Sequence, residues 1–274
     1  MIQPRFKTSM TGVPIMKDAA IEADAERLLR DYNPALLETP QALDVEDFAE
    51  NYLGLRIHYN HLSHNGSIWG RMVFYNSRIP VYVPKASRAE YLPVEGSALV
   101  IDNSLLIYGR DNEFRSTMMH ECGHKIYHTQ YYRPEAPPSI WLSSAVREQM
   151  PATACRQADI LGSGKGKRHV LTTDHDWLEH HAKYFGSSAL IPASMVRRVY
   201  DETEVERNMG YYKRKEAETE FALELMRIFH VSGRSADIRI KQLKLDFASF
   251  QATHPEATEP KKIEFYVPDL TAWL

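Results

Sequence analysis

The sequence is poor in the features that mark exported and membrane proteins. It has only two cysteines in 274 residues, too few for a disulfide scaffold, which favours a reducing compartment. No apolar run approaches the length of a membrane span, and residues 1–16 lack the apolar core of a signal peptide. The formal net charge is −3, so any contact with nucleic acid would need a local basic patch. With 43% hydrophobic residues, the chain is predicted to be a globular cytoplasmic protein without a membrane partner.

What the sequence does contain is a His-Glu-x-x-His run at residues 120–124. Apolar residues around the run recur at helical spacing, and histidines four positions apart on a helix lie on one face. His120 and His124 can therefore hold one Zn²⁺ through their ring nitrogens. Glu121 is placed to act on a water molecule whose pKa zinc lowers to roughly 7, taking its proton and passing it to a leaving amine. The run predicts a zinc metallopeptidase with Glu121 as general base.

A catalytic zinc usually takes three protein ligands, so the run is incomplete by itself. His128 lies about 12 Å from His120 along the helix axis, too far to share one ion. A metzincin would carry its third histidine where this chain has Gln130, so that class is excluded. Glu179 is the better candidate, because the residues around it predict a helix with a small-residue face that packs closely on the first. Spacing alone leaves five competitors open: Asp174, His175, Asp176, His180 and His181.

Two segments resemble the ImmA/IrrE family of bacterial and phage zinc metallopeptidases, many of which accompany a helix-turn-helix repressor. Residues 117–128, Thr-Met-Met-His-Glu-Cys-Gly-His-Lys-Ile-Tyr-His, resemble the metal helix of that family. Glu179-x-x-Ala182-x-x-Phe185, which runs on to Ala-Leu-Ile-Pro at residues 189–192, resembles its third-ligand helix. The resemblance extends over most of the chain.

The resemblance implies that His120, His124 and Glu179 are the zinc ligands and that Glu121 is the base. It also implies that the substrate is a protein of the transcriptional repressor class. The chain departs from the family pattern at Gly186, where alanine is expected, and in a longer connection between the two helices, at about residues 131–176. A connection of this length is typical of a lid or a binding loop, so substrate selection is expected to differ there.

Two features of this insert call for separate interpretations. Residues 162–168 are rich in glycine and lysine but lack the spacing of a phosphate-binding loop, so a flexible basic loop is predicted. Cys155 is interpreted by default as a buried core cysteine. The alternatives for Cys155 are a fourth zinc ligand or a redox sensor.

The expected fold is α+β, with a small, mostly antiparallel sheet packed on the helices that carry the zinc site. Asp111 or Asn112 is expected to cap the metal helix, and an edge of the sheet beside the zinc is expected to bind an extended substrate through backbone hydrogen bonds. Hydrophobic periodicity predicts helices at residues 18–32 and 43–53. It predicts strands at residues 55–59, 72–75, 79–83 and 98–101, with residues 105–108 extending or re-entering the sheet.

Residues 1–212 are assigned to the zinc metallopeptidase domain and residues 213–274 to a helical, helix-turn-helix-like region. Residues 216–229 and 234–245 have helical spacing, and a short turn separates them. Four basic residues would give the second helix a positive face suited to phosphates: Arg234, Arg239, Lys241 and Lys244. The favoured alternative is a helical hairpin that only packs on the catalytic domain.

Two functions from different classes fit these patterns. The first is a zinc endopeptidase that cleaves a protein, and the second is a DNA- or repressor-binding regulator with a structural or idle zinc site. The presence of Glu121 favours the first, since a structural site has no use for a base and normally closes its fourth position with Cys or His. The candidates for a hydrogen-bond donor to the oxyanion are Tyr127, His128, His175 and His181.

Overall fold

The computed structural model describes residues 2–133, 152–161, 170–202, 214–245 and 247, and these form an α+β fold, as predicted. The predicted basic loop at residues 162–168 and much of the predicted insert lie outside the described residues. The helices are α1 (Asp18–Tyr32), α2 (Val45–Asp47), which continues into a π turn (Phe48–Tyr52), α3 (Asp111–His128), α4 (Gln157–Leu161), α5 (Asp174–Leu190), α6 (Ala193–Glu202), α7 (Arg214–Phe229) and α8 (Gly233–Leu243).

The largest sheet has four strands in the order β3 (Arg56–Asn60), β7 (Ala98–Asp102), β4 (Ile68–Val73) and β8 (Cys155–Arg156). β3 runs parallel to β7, whereas β4 is antiparallel to both β7 and β8. The hairpin of β5 (Ser77–Val83) and β6 (Arg88–Val94) forms a second sheet, and β1 (Lys7–Thr8) pairs with β2 (Pro14–Ile15). Antiparallel pairing therefore predominates, but β3 makes the main sheet mixed.

The predicted strand at residues 98–101 is confirmed, and every residue of β7 is buried. The prediction that residues 105–108 extend or re-enter the sheet is wrong, because β7 ends in a turn at Asp102. The Asp102 carboxylate accepts hydrogen bonds from the backbone N–H of Leu62 (2.6 Å) and of Ser104 (2.9 Å). The chain then forms a 3₁₀ turn and exposes Ile107 and Tyr108 to solvent.

Helix α3 lies between the main sheet and α5, so most of its side chains are buried. The predicted cap at Asp111 or Asn112 is wrong. Arg110 precedes the first helical residue and makes no side-chain cap, while Asp111 belongs to the first turn, where its negative charge suits the helix dipole. Arg115 ties α3 to distant backbone by donating to the carbonyls of Leu43 (2.9 Å) and His230 (3.1 Å).

The two predicted C-terminal helices are present as α7 and α8, with Ser232 capping α8 through the N–H of Ser235 (3.1 Å). Their apolar residues belong to the same buried cluster as those of α1 and α3. The prediction that Arg239 faces phosphates is wrong, because its side chain is fully buried and forms an ion pair with Glu22 of α1. The guanidinium of Arg239 also donates to the carbonyl of Ile191 (2.7 Å). Within the described residues, no helix is long and apolar enough to cross a membrane.

Candidate metal centre

Close packing of α3 on α5 brings the site together. A Cβ placed on Gly123 would lie 2.9 Å from the Cα and the carbonyl oxygen of Ala182. A Cβ on Gly186 would lie 3.2 Å from the backbone nitrogen of His120. At position 123 this approach requires glycine, whereas a Cβ at position 186 would require the neighbouring backbone to shift by a few tenths of an ångström. This approach places Glu179, in the second turn of α5, opposite the two histidines of α3.

The ligand atoms of His120, His124 and Glu179 form a compact triangle. The two Nε2 atoms lie 3.1 Å apart. Nε2 of His120 lies 3.3 Å from Oε2 of Glu179, and Nε2 of His124 lies 3.3 Å from Oε1 of the same carboxylate. Ligands at 2.0–2.1 Å from a tetrahedral zinc are about 3.3 Å from one another, so these separations are of the order that one shared ion needs. The three residues are 1%, 0% and 7% exposed. They are therefore buried and positioned to bind a metal ion.

The competitors for the third ligand are engaged elsewhere or lie apart from the triangle. Asp176 forms a capping box with Thr173 at the start of α5. Asp174 accepts a hydrogen bond from Thr11 (3.0 Å), and His180 lies 2.8 Å from a carboxylate oxygen of Asp18. Of the remaining two, His175 is exposed, and the ring of His181 stacks on His128 with the centroids 5.9 Å apart.

His128 supports the site without being a ligand, in agreement with the prediction that it is too far to share the ion. Its Nδ1 lies 2.9 Å from Nδ1 of His124, whose Nε2 faces the triangle. A histidine that binds a metal through Nε2 carries its proton on Nδ1, so with a metal bound His124 would donate to His128. Burial lowers the pKa of His128 well below its ordinary value, and the neighbouring histidines lower it further, which keeps the ring neutral and able to accept.

The carboxylate of Glu121 is fully buried beside the triangle. Its Oε2 accepts a hydrogen bond from Oγ1 of Thr153 (2.7 Å), whereas its Oε1 has no partner among the described residues. Burial raises the pKa of Glu121 to about 7, although His124 and the Thr153 hydrogen bond oppose the rise. Burial also disfavours the charged form of Glu179, but the two ligand histidines outweigh it and hold the Glu179 pKa well below its ordinary value. The two carboxyl groups therefore suit different tasks, a proton acceptor and an anionic ligand.

Strand β4 passes directly over Glu121. A Cβ on Gly70 would lie 3.0 Å from Oε1 of Glu121 and 2.7 Å from Cγ2 of Thr117, so only glycine fits there. The next residue, Arg71, has a mostly buried guanidinium whose charge interacts favourably with Glu121. Its Nη1 donates to the carbonyl of Thr153 (3.3 Å).

Arg71 is a donor that sequence reasoning missed. Its only local signal is its position just before the predicted strand at residues 72–75, and nothing in the sequence links Arg71 or Gly70 to Glu121. The four predicted oxyanion donors are placed less favourably. His128 lies behind His124 with His181 stacked on it, Tyr127 is buried facing Asp24, and His175 is exposed.

Cys155 forms a second cluster with the site. Its Sγ and the ligand atoms of His120 and Glu121 all lie within 4.8 Å of one another, and the three residues are buried. Burial raises the pKa of the Cys155 thiol well above its ordinary value, and the nearby carboxylates raise it further. Without a metal ion the group is therefore a neutral thiol.

A cavity of about 270 Å³ opens beside His120, between α3, α4, α5 and α8. Its walls are largely apolar, and the side chains of Ile160, Leu190, Ile191 and Ile238 line it. The cavity is large enough for one side chain of a bound peptide.

Comparisons of the chain with family models and with curated proteins found no match. The resemblance to the ImmA/IrrE family thus stays a prediction. The geometry alone gives a buried His-His-Glu cluster suited to a metal ion, with an extra carboxyl group beside it.

Proposed function

We propose that the protein is a zinc-dependent endopeptidase that hydrolyses peptide bonds of a protein substrate. The observation that carries the proposal is the buried Oε1 of Glu121, which has no hydrogen-bond partner in the described part of the chain and lies beside a triangle of three ligand residues. Two imidazoles and one carboxylate are a ligand set that catalytic zinc uses, with the fourth position left to water or substrate. A structural site needs no such base.

Each group near the triangle has a task in this proposal. Zinc would supply a Lewis acid that polarises the scissile carbonyl and lowers the pKa of water. Glu121 accepts the proton of the attacking water and hands it to the leaving amine, as general base and then general acid. Arg71 donates from Nη1 to a carbonyl oxygen of the substrate, as it does to the carbonyl of Thr153.

The cavity beside His120 supports a preference for substrates with an apolar side chain near the scissile bond. Its apolar walls stabilise such a side chain by removing it from water. A helix-turn-helix repressor, the substrate class implied by the family resemblance, remains the proposed natural target.

The alternative of a DNA-binding regulator has less support. Arg239 is inside the protein, and Asp237 lies between Arg234 and Lys241 along the exposed part of α8. An acidic residue among the exposed basic ones weakens the field that would attract phosphates. The packing of α7 and α8 into the common core agrees better with the helical hairpin.

The first test measures zinc in the purified protein and in Glu179→Ala, with His180→Ala as the control on the same helix. We expect about one zinc per chain in the wild type and in His180→Ala, and less in Glu179→Ala, since that variant loses the one carboxylate ligand of the triangle. Absence of zinc from wild-type protein prepared without chelators would overturn the proposal.

The second test follows cleavage of unfolded casein by mass spectrometry, with wild-type protein and Glu121→Gln. The glutamine keeps the shape of the side chain but cannot accept the proton, so Glu121→Gln should retain zinc and lose cleavage by roughly 100-fold or more. Cleavage at the wild-type rate by Glu121→Gln would show that Glu121 is not the base.

A further inference from the structure

Residues 152–157 lie along the sheet edge that would otherwise border the metal site. The N–H of Thr153 donates to the carbonyl of Met72 (3.0 Å), Cys155 pairs with Gly70, and the N–H of Gln157 donates to the carbonyl of Ser67 (2.9 Å). The segment runs antiparallel to β4 from one end to the other. In the sheet order β3-β7-β4-β8, β8 covers the only edge of β4 that β7 leaves free.

This segment makes the contacts expected of a bound peptide. An extended substrate that joins a sheet edge exchanges backbone hydrogen bonds with the edge strand and presents alternate side chains to the site. Thr153 and Cys155 are two positions apart and both point toward Glu121: the Thr153 hydroxyl donates to Glu121 Oε2, and Cys155 Sγ is within 4.8 Å of its carboxylate. Arg71 holds the Thr153 carbonyl, the task proposed for it toward a substrate.

The position of the Cys155 sulfur is a second observation beside the strand pairing. It clusters with His120 and Glu121, so it lies beside both a ligand and the proposed base. A thiolate and an imidazole bound to one tetrahedral zinc are about 3.6 Å apart. Sγ lies within 4.8 Å of a ring nitrogen of His120, so the Cys155 side chain would move closer on binding the ion.

We propose that Cys155 is the fourth protein ligand of the metal in the resting protein and that residues 152–157 fill the substrate edge, so that the peptidase is blocked by its own chain. This inference rests on the proposed function. On binding, a metal–sulfur bond forms and the S–H bond breaks, with the proton released to solvent. On activation, the metal–sulfur bond breaks, the sulfur regains a proton from solvent, and the fourth position and the edge of β4 become available together.

The test replaces zinc with Co²⁺ in the full chain and records the absorption spectrum, because a thiolate bound to Co²⁺ adds a near-ultraviolet charge-transfer band. Cys122→Ala is the matched control, since Cys122 is equally buried and lies in the metal helix. We expect the band in wild type and in Cys122→Ala. In Cys155→Ala it should be lost while the visible bands of bound Co²⁺ remain.

The possible outcomes separate this inference from the proposed function. Cobalt bound to wild-type protein without a thiolate band would overturn the role of Cys155 and leave the His-His-Glu site intact. Failure of the wild type to bind cobalt at all would overturn the metal site itself. A band that survives in Cys155→Ala would also refute the assignment.

Cleavage of unfolded casein provides a second readout. If most wild-type molecules are in the blocked form, replacing Cys155 with alanine should raise the rate of casein cleavage by roughly tenfold or more. The reason is that a larger fraction of the molecules can then cleave the substrate. Cys155→Ala should therefore cleave faster than wild type and Cys122→Ala should not. The double variant Glu121→Gln, Cys155→Ala should be inactive. This result would show that the faster cleavage by Cys155→Ala depends on Glu121. An unchanged rate in Cys155→Ala, with its circular dichroism unchanged, would contradict self-inhibition.

Discussion

At the scale of single residues, the orientation of the His124 ring depends on a neighbour that binds no metal. Nδ1 of His128 lies 2.9 Å from Nδ1 of His124, whose Nε2 faces the triangle. With a metal bound to Nε2, His128 would be the acceptor. Replacing His128 with phenylalanine preserves the bulk and removes the acceptor. We expect metal affinity in His128→Phe to fall by about 10- to 100-fold, the usual effect of losing such a partner.

A competition titration against a zinc chelator measures this change. His180→Phe is the control, because His180 lies on α5 but contacts Asp18 at the surface instead of a ligand. The idea that His128 orients the ligand fails if the two variants bind zinc equally well.

The site residues that lie close together in the sequence are those whose placement could be predicted from it. His120, Glu121 and His124 share a face because of helical periodicity, which five consecutive residues reveal. Glu179 emerged as a preferred candidate among six, and the packing of α5 on α3 brings its side chain alone to the histidine pair. Thr153 comes from a segment 32 positions from Glu121 and is placed by pairing with β4. No local pattern encodes that pairing.

At the scale of secondary-structure elements, the distance between α3 and α5 determines whether three ligands can meet. Gly123 lies directly against the backbone of Ala182, where a methyl group would be at 2.9 Å. Backbone atoms cannot rotate away as a side chain can, so Gly123→Ala must push the helices apart. We expect a loss of about 1–3 kcal/mol in the free energy of unfolding, as for other overpacked sites. Zinc affinity should fall as well, because Glu179 moves with α5.

The control is Gly233→Ala, in the first turn of α8. Its added methyl group would meet Sδ of Met226 at 3.3 Å, and this flexible side chain can move aside. Urea unfolding and zinc titration of both variants test the expectation. If Gly123→Ala keeps the wild-type zinc affinity, close approach of α3 and α5 is not what forms the site.

The elements themselves were predicted with uneven success, for a physical reason. Helix α1 was placed at its observed limits because its apolar face repeats over 15 residues. Residues 105–108 were expected to extend the sheet because they are apolar, yet Asp102 ends the strand through its own side-chain hydrogen bonds. The parallel pairing of β3 with β7 joins segments about 40 residues apart, and apolar alternation carries no information on strand direction.

At the scale of the whole molecule, the C-terminal helices belong to the same core as the metal helix. Phe221, Leu225 and Phe229 of α7 are fully buried in the cluster that also contains Leu28 of α1 and Met119 of α3. A shared core predicts that the described helices unfold together. The metal site and the C-terminal helices should therefore be lost in one transition.

The ion pair of Arg239 with Glu22 tests this coupling, because it joins α8 to α1 far along the chain. The Arg239 side chain is 0% exposed and that of Glu22 is 18% exposed. Arg239→Met leaves the carboxylate without its partner and the carbonyl of Ile191 without its donor. Breaking a buried pair costs about 3–5 kcal/mol, and the partial exposure of Glu22 places the expected loss at the lower end.

The matched control is Arg227→Met, which removes an arginine whose side chain is 71% exposed and paired with Glu224. An exposed pair of this kind contributes little to stability, because solvent screens it. Urea unfolding should be followed by circular dichroism and by zinc release in the same samples. We expect both signals of Arg239→Met to shift together to lower urea, because loosening α8 from α1 weakens the core that supports α3. Zinc release at an unchanged urea concentration, with only the dichroism shifted, would instead mean that the C-terminal helices form a separate unit.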